Sequence, residues 1–166
     1  MDHISKLESQ SIFIIREAYK QFKKVAMLWS IGKDSTCLLW LIRKAFYGKI
    51  PFPVLHLDTG HKFKEIYQFR DEFAKKWDLN LIVYKNQEAI DKGVGPEKEK
   101  LACCTELKTN ALKKAIAENN FKAMYLGIRR DEHGVRAKER VFSPRDDEFE
   151  WNYKEQPPEL WDQYKT

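Results

Sequence analysis

Apolar positions along this chain change their spacing in a regular order. Ile4, Leu7, Ile12, Ile15, Ala18, Tyr19 and Phe22 recur at helical intervals, which predicts an amphipathic helix ending near Lys23-Lys24. Val25-Ala26-Met27-Leu28-Trp29-Ser30 follows as an apolar run without alternation, the pattern of a strand covered on both faces. Residues 36–46 are apolar nearly all round and contain no helix breaker, so they read as a helix packed close to the sheet. A second strand is expected over residues 52–58 and a third over 79–84. Between them Phe63, Ile66, Tyr67, Phe69, Phe73 and Trp77 mark a second crossover helix. Periodicity lapses from 85 to 100, where Gly93, Gly95 and Pro96 predict an exposed loop. Helical spacing returns through Leu107, Ala111, Leu112, Ala115 and Ile116, and residues 123–126 supply a fourth strand.

Strands that alternate with helices imply right-handed crossovers and an α/β fold, a doubly wound, mainly parallel sheet of about four or five strands. In such a sheet the ligand crevice lies beyond the carboxyl ends of the strands. Four segments bring polar residues to that edge: 30–35, 58–61, 103–108 and 127–140. Beyond Arg140 the pattern changes. Acidic residues at 146–150 and the aromatics Trp151, Tyr153, Trp161 and Tyr164 punctuate a nonperiodic, Pro-containing tail over 141–166. This tail is expected either to lie across the preceding 1–140 domain or to pack against further chain.

Composition narrows the class. A chain of 166 residues is one ordinary domain, long enough to bury about 70% of its unfolded surface. With 43% hydrophobic and 33% charged residues it reads as globular, not disordered. The longest apolar run, 37–42, is far too short to span a bilayer, and the start of the chain carries no basic-then-apolar leader pattern. Three cysteines, two of them adjacent, make no disulfide framework, so a reducing cytoplasm is the expected location. A formal charge of +5 favours anionic partners without choosing among them. No separate nucleic-acid-binding segment is seen, and neither nucleic acid nor membrane is expected as a partner.

Ser30-Ile31-Gly32-Lys33-Asp34-Ser35-Thr36 follows the first buried strand and opens a helix. Gly32 is expected to let the chain turn tightly and to bring backbone N–H groups toward a ligand, at the helix end that favours negative charge. Ser30, Ser35 and Thr36 offer hydroxyls and Lys33 a cation, a set suited to a pyrophosphate or triphosphate. A plain strand-to-helix turn with Ser/Asp capping is the alternative. Walker A and dinucleotide fingerprints are both absent. His56 and His61 flank Asp58, but no further grouping completes a zinc set, and His56 reads as a hydrogen-bonded strand histidine.

The loop resembles the Ser-x-Gly-Lys-Asp-Ser signature of PP-loop ATP pyrophosphatases and their phosphoadenosine-phosphosulfate reductase relatives. Across essentially all 166 residues the chain looks closer still to the small, ATP-binding subunits of sulfate adenylyltransferases, apparently to their N-terminal half. The segments that carry this are 30–35, Arg43-Lys44-Ala45-Phe46-Tyr47, Pro51-Phe52-Pro53 with His56-x-Asp58-Thr59-Gly60, Phe69-Arg70-Asp71, Arg129-Arg130-Asp131-Glu132, Arg136-Ala137-Lys138-Glu139-Arg140 and Pro158-Glu159-Leu160-Trp161. The resemblance implies an adenine-nucleotide α-hydrolase-like fold, with ATP and Mg²⁺ as cofactors and sulfate as the small-molecule substrate. It also implies a GTPase large subunit as partner. By the same resemblance Ser30, Gly32, Lys33, Asp34 and Ser35 would contact the departing phosphates, and Asp58, Thr59 and Gly60 would lie beside the nucleotide. Asp58 would receive a ribose hydroxyl or help position Mg²⁺, for which Asp34 is equally suited.

Arg129, Arg130 and Arg136 stand with Lys138 and Arg140 against Asp131, Glu132 and Glu139. A guanidinium presents a rigid fork of donors that matches phosphate or sulfate oxygens, so one or two of these, with Lys33, would serve catalysis by stabilising charge at the reacting phosphorus. A solvated surface laced with ion pairs is the other reading. Cys103-Cys104 with Lys108 one turn along resembles the opening of the adenylyl- and phosphoadenylyl-sulfate reductases, which makes a thiol-dependent oxidoreductase the alternative activity. Cys37 is the only other cysteine, and three scattered thiols cannot supply a four-thiolate cluster. A non-catalytic nucleotide-binding module is a third reading, different in class.

Overall fold

A computed structural model of the chain describes residues 2–95, 97, 103–132, 134, 136–146, 148–151 and 154. Pro96, Tyr153, Trp161, Tyr164 and the 158–161 segment, all named above, lie outside the described residues. The chain divides into two compact units, Met1–Gly127 and Ile128–Thr166.

The first unit opens with helix α1, His3–Gln21, whose N-cap Asp2 accepts the Ser5 N–H. Strand β1, Val25–Leu28, follows and leads into helix α2, Lys33–Ala45. Then come β2, Val54–Leu57, α3, Lys64–Lys76, and β3, Leu81–Tyr84. Helix α4, Gln87–Asp91, is short; a wide π-helical segment, Thr105–Asn110, runs into α5, Ala111–Asn119, and β4, Ala123–Leu126, completes the set. The strands form one sheet in the order β3-β2-β1-β4, and each described pairing is parallel. Because the chain moves outward from β1 through β2 to β3 and then returns to the far side of β1, loops leaving β1 and β4 diverge around a topological switch point.

Burial explains the continuous apolar run of β1. Val25, Ala26 and Met27 are all buried, whereas Leu81, Ile82 and Tyr84 of the edge strand β3 are only partly covered and Val83 is exposed. Helix α2 begins at Lys33, three residues ahead of the apolar stretch, and buries the stripe Ser35, Leu39, Ile42 and Ala45. Its other faces are less covered than the sequence suggested, with Cys37 and Trp40 exposed. Phe69, Phe73 and Trp77 of α3 and its C-cap stack in succession, with ring centroids 4.3 and 4.9 Å apart, and pack against the core that contains Trp29. Each large side chain fully removed from water here contributes about 1.5–3 kcal/mol.

The expected loop from 85 to 100 contains α4, which is too brief to show periodicity. Asn86 caps it by accepting the Ala89 N–H, and its amide donates to the Glu106 carbonyl oxygen at 3.0 Å, so one side chain ties two segments. Arg130 donates to the Glu139 carbonyl oxygen, Ser143 to the Glu139 carboxylate, and the Arg145 guanidinium lies 4.8 Å from the Trp151 ring centroid.

Candidate functional site

At the carboxyl edge of β1 the chain makes its turn through Ile31, not Gly32. Ile31 has φ of 68°, a left-handed conformation, whereas Gly32 has φ of −77° and ψ of 165° as the N-cap of α2. The expectation that Gly32 supplies the tight turn is therefore corrected. A β-branched residue held there costs about 1–2 kcal/mol, and the Ile31 side chain packing against the hydrophobic core offsets it. Gly32 instead leaves the helix end uncovered: no side chain caps α2, and the first helical bond is Thr36 N–H to the Gly32 carbonyl oxygen. The N–H groups of the first turn have no partner within the helix and favour an anion.

The loop hydroxyls are used within the loop. Ser35 donates to the Gly32 carbonyl oxygen at 3.1 Å and lies 2.9 Å from the Ser30 hydroxyl, which in turn accepts the Gly32 N–H. Each serine has one proton to give, so the consistent assignment is Ser30 to Ser35 and Ser35 to Gly32. These two residues shape the loop. Lys33 is exposed and Asp34 half-buried, and neither has a hydrogen bond or ion pair among the described residues. Thr36 accepts the Trp29 indole N–H at 3.0 Å, which leaves its own proton to donate.

Gly127, at the end of β4, closes this site from the other side. A Cβ there would stand 2.8 Å from Ser35 Cα and 2.9 Å from Ser35 N, so only glycine allows strand end and helix start to meet.

The loop after β2 is built around Asp58, 3% exposed. One carboxylate oxygen accepts the Gly60 N–H at 2.9 Å and the Tyr67 hydroxyl at 2.8 Å, and the other pairs with Lys85 at 3.0 Å. Burial alone would raise its pKa, but the Gly60 N–H, Lys85 and Tyr67 together lower it to about 2. Gly60 adopts φ of 76°, which favours glycine, and Thr59 is buried beside it. His56, fully buried, lies 2.8 Å from the Trp29 carbonyl oxygen through Nδ1 and 3.1 Å from the Lys62 ammonium through Nε2. Burial, more than any neighbouring charge, lowers its pKa to about 4. Lys62 is lowered to about 8, first by burial and then by Lys108 and Arg70, against the pull of Asp58.

For Mg²⁺, Asp34 has the right character, a carboxylate without a partner among the described residues beside an anion-seeking helix end. Asp58 could reach a cation only by giving up Lys85, Tyr67 or Gly60. Among the described residues no group of three acidic, histidine or cysteine side chains holds a metal by itself. A metal carried mainly by ligand phosphates, with one protein carboxylate, fits this donor set.

The structure thus gathers the loop at 30–36 and the turn at 58–60 on neighbouring parallel strands. Arg129, Arg130 and Arg136 belong to the second unit, where Arg129 pairs with Asp131, Arg130 with the Glu139 carbonyl oxygen, and Arg136 lies 3.8 Å from the Glu139 carboxylate. Cys103 and Cys104 are half-buried free thiols in the helical turn that leads into the π segment. Sequence reasoning passed over Lys62, Tyr67, Lys85 and the close approach of Gly127. Lys62 and Lys85 each stand just past a strand's carboxyl end, a placement that would have flagged them.

Both shifted groups depend on pH with the same sign. His56 and Asp58 have folded pKa values below their ordinary ones, so their stabilisation is present above 6.5 and 3.8 and is lost as pH falls through about 4 and about 2. The losses are about 3 and about 2 kcal/mol, against a typical total of about 5–15 kcal/mol. Urea unfolding midpoints measured from neutral pH downward are expected to fall steadily across the His56 window and again across the Asp58 window. A flat profile would remove both assignments.

Fold and site together define a doubly wound α/β protein that brings a helix N-terminus to its switch point, with a lysine and a carboxylate that have no partner among the described residues. Residues 24–164 match the phosphoadenosine phosphosulfate reductase domain family, and the chain belongs to it. It is 51% identical to sulfate adenylyltransferase subunit 2 of Bacteroides fragilis over 168 aligned positions, covering 100% of this chain and 55% of that protein. The same-named protein of Zymomonas mobilis is 49% identical, with 99% and 55% covered. The chain therefore spans about half the length of these relatives. Among solved structures, a phosphoadenylyl-sulfate reductase from Candida auris aligns over 78% of this chain and 68% of its own, with a TM-score of 0.62 and 21% identity. An NH3-dependent NAD synthetase from Campylobacter jejuni aligns over 80% and 59%, with a TM-score of 0.61 and 17% identity. These agree with the adenine-nucleotide α-hydrolase-like fold expected from the sequence.

Proposed function

We propose that the chain is the nucleotide-binding portion of a sulfate adenylyltransferase small subunit, transferring the adenylyl group of ATP to sulfate. The observation that carries this reading is the end-to-end similarity, near 50% identity, to proteins named sulfate adenylyltransferase subunit 2. The open N-terminus of α2 supports it, because the bond that breaks, from the α-phosphorus to its bridging oxygen, leaves negative charge on pyrophosphate.

A sulfate oxygen forms the new bond to the α-phosphorus, and pyrophosphate leaves with the bonding electrons. The α2 N–H groups and Lys33 hold the departing phosphates, while Ser30 and Ser35 keep the loop in shape. Mg²⁺, when bound with the nucleotide, supplies further charge neutralisation, and Asp34 is the residue that would hold it. Thr59 and Gly60 border the nucleotide on the β2 side, and Asp58 braces them. The role that the resemblance gives Arg129, Arg130 and Arg136, neutralising charge on the transferred group, would require their present carboxylate and carbonyl partners to yield. That the relatives are named as a subunit supports a partner chain, for which a GTPase large subunit in the cytoplasm is the reading.

One observation favours a second reading: the Cys103-Cys104 pair stands in a helical turn ahead of the π-helical segment, in a family described by a reductase domain. Incubating the protein and a GTPase partner with ATP, with and without sulfate, separates the two. Sulfate-dependent pyrophosphate release supports adenylyl transfer. Sulfite formed from adenylyl sulfate and a dithiol, without that release, supports the reductase, and nucleotide binding with neither activity would leave a non-catalytic module.

A further inference from the structure

Three contacts join the loop after β2 to the loop after β1. Lys62 Nζ lies 3.1 Å from His56 Nε2 and 2.8 Å from the Leu57 carbonyl oxygen, and His56 Nδ1 lies 2.8 Å from the Trp29 carbonyl oxygen. Trp29 then donates its indole N–H to Thr36. An ammonium has protons to give and no lone pair, so Lys62 donates to Nε2 and the imidazole proton must sit on Nδ1, where Trp29 receives it.

We propose that Lys62 and His56 are positioning residues for the phosphate loop: Lys62 braces the Nε2 side of the His56 ring, and His56 holds the Trp29 peptide from which the loop departs. The inference rests on the phosphate reading of that loop. The Trp29 carbonyl and the Ser30 N–H belong to one peptide plane, so anchoring the first aims the second. The Trp29 indole fixes the Thr36 hydroxyl at the far end, so a single residue sets both ends of the loop. Trp29 and His56 are both fully buried. With the proton moved to Nε2, the Nδ1 lone pair would face the Trp29 carbonyl oxygen in a slot where neither group reaches water, an unmade bond that costs more than an exposed one. The left-handed Ile31 adds to the need for an external anchor, since a strained turn persists only where its surroundings hold it.

Lys62 is only partly buried, and methionine there keeps the stem while removing the donor. Lys62→Met is expected to stay folded by circular dichroism yet bind inorganic pyrophosphate and Mg·ATP about tenfold more weakly, the equivalent of one lost charge-assisted bond. Lys62→Arg, which restores a donor, is expected to recover most of the affinity. Nitrogen-15 spectra should place the His56 proton on Nδ1 in the unsubstituted protein, with Nε2 accepting a hydrogen bond, and should show the Nε2 resonance shifted by loss of that donor in Lys62→Met. A proton on Nε2 in the unsubstituted protein overturns the proposal without any variant. So does binding by Lys62→Met within about twofold of the parent. If the parent bound neither probe, the phosphate reading itself would fall, and the spectra would still decide the relay, because an Nε2 resonance unchanged in Lys62→Met contradicts it.

Discussion

Gly127→Ala is expected to destabilise the protein and to remove its phosphate affinity together. The new methyl would meet Ser35 Cα at 2.8 Å, Ser35 N at 2.9 Å and the Asp34 carbonyl carbon at 3.0 Å, all backbone atoms that no rotamer change can move aside. Overpacking of this kind costs about 1–3 kcal/mol, and in a chain of this length each kcal/mol lowers Tm by about 2–4 °C. Relief requires the end of β4 and the start of α2 to separate, which displaces the N–H groups of the helix's first turn. Differential scanning calorimetry and titration with Mg·ATP read the two consequences separately. Gly134→Ala is the control, since a Cβ at Gly134 meets nothing within 4 Å. Equal behaviour of the two variants would mean that the approach at Gly127 does not shape the site.

Lys33→Ala is expected to do the opposite, sparing the fold and lowering turnover. Lys33 is exposed and lacks a partner among the described residues, so its loss should change stability by no more than about 0.5 kcal/mol. Facing the departing pyrophosphate, the same ammonium would make charge-assisted bonds of about 1.5–3 kcal/mol. kcat/KM should therefore fall by about tenfold to a hundredfold. Lys33→Arg should recover only part, because a planar fork replaces a compact charge. If Lys33→Ala unfolded the chain, as judged by circular dichroism, the lysine would be structural and the loop assignment would be wrong.

Some of this was legible before any coordinates, for reasons that particular residues make plain. The unbroken apolar run at 25–30 reads as a strand buried on both faces, and the breaker-free stretch after it reads as a helix, which β1 and α2 bear out. Order along the chain then placed the residues at 30–35 and 58–60 at one edge, which the β3-β2-β1-β4 topology bears out. What stayed hidden was tertiary. Nothing local says that Ile31 rather than Gly32 takes the left-handed conformation, since that choice is stabilised by core packing distant in sequence. The ring of donors around Asp58 draws on Gly60, Tyr67 and Lys85, from a turn, a helix and the end of another strand. Such convergence leaves no periodic trace. Helix α4 was missed because five residues are too few to register a period.

The central claim is that the loop between β1 and α2 holds the phosphates of ATP. Calorimetric titration of the unsubstituted protein with Mg·ATP and, separately, with inorganic pyrophosphate tests it most directly, with Lys33→Ala in parallel. Saturable binding of both is expected, weakened in the variant by about tenfold or more. Absence of binding to either at concentrations up to about 1 mM, in a protein that is folded by circular dichroism, would contradict it.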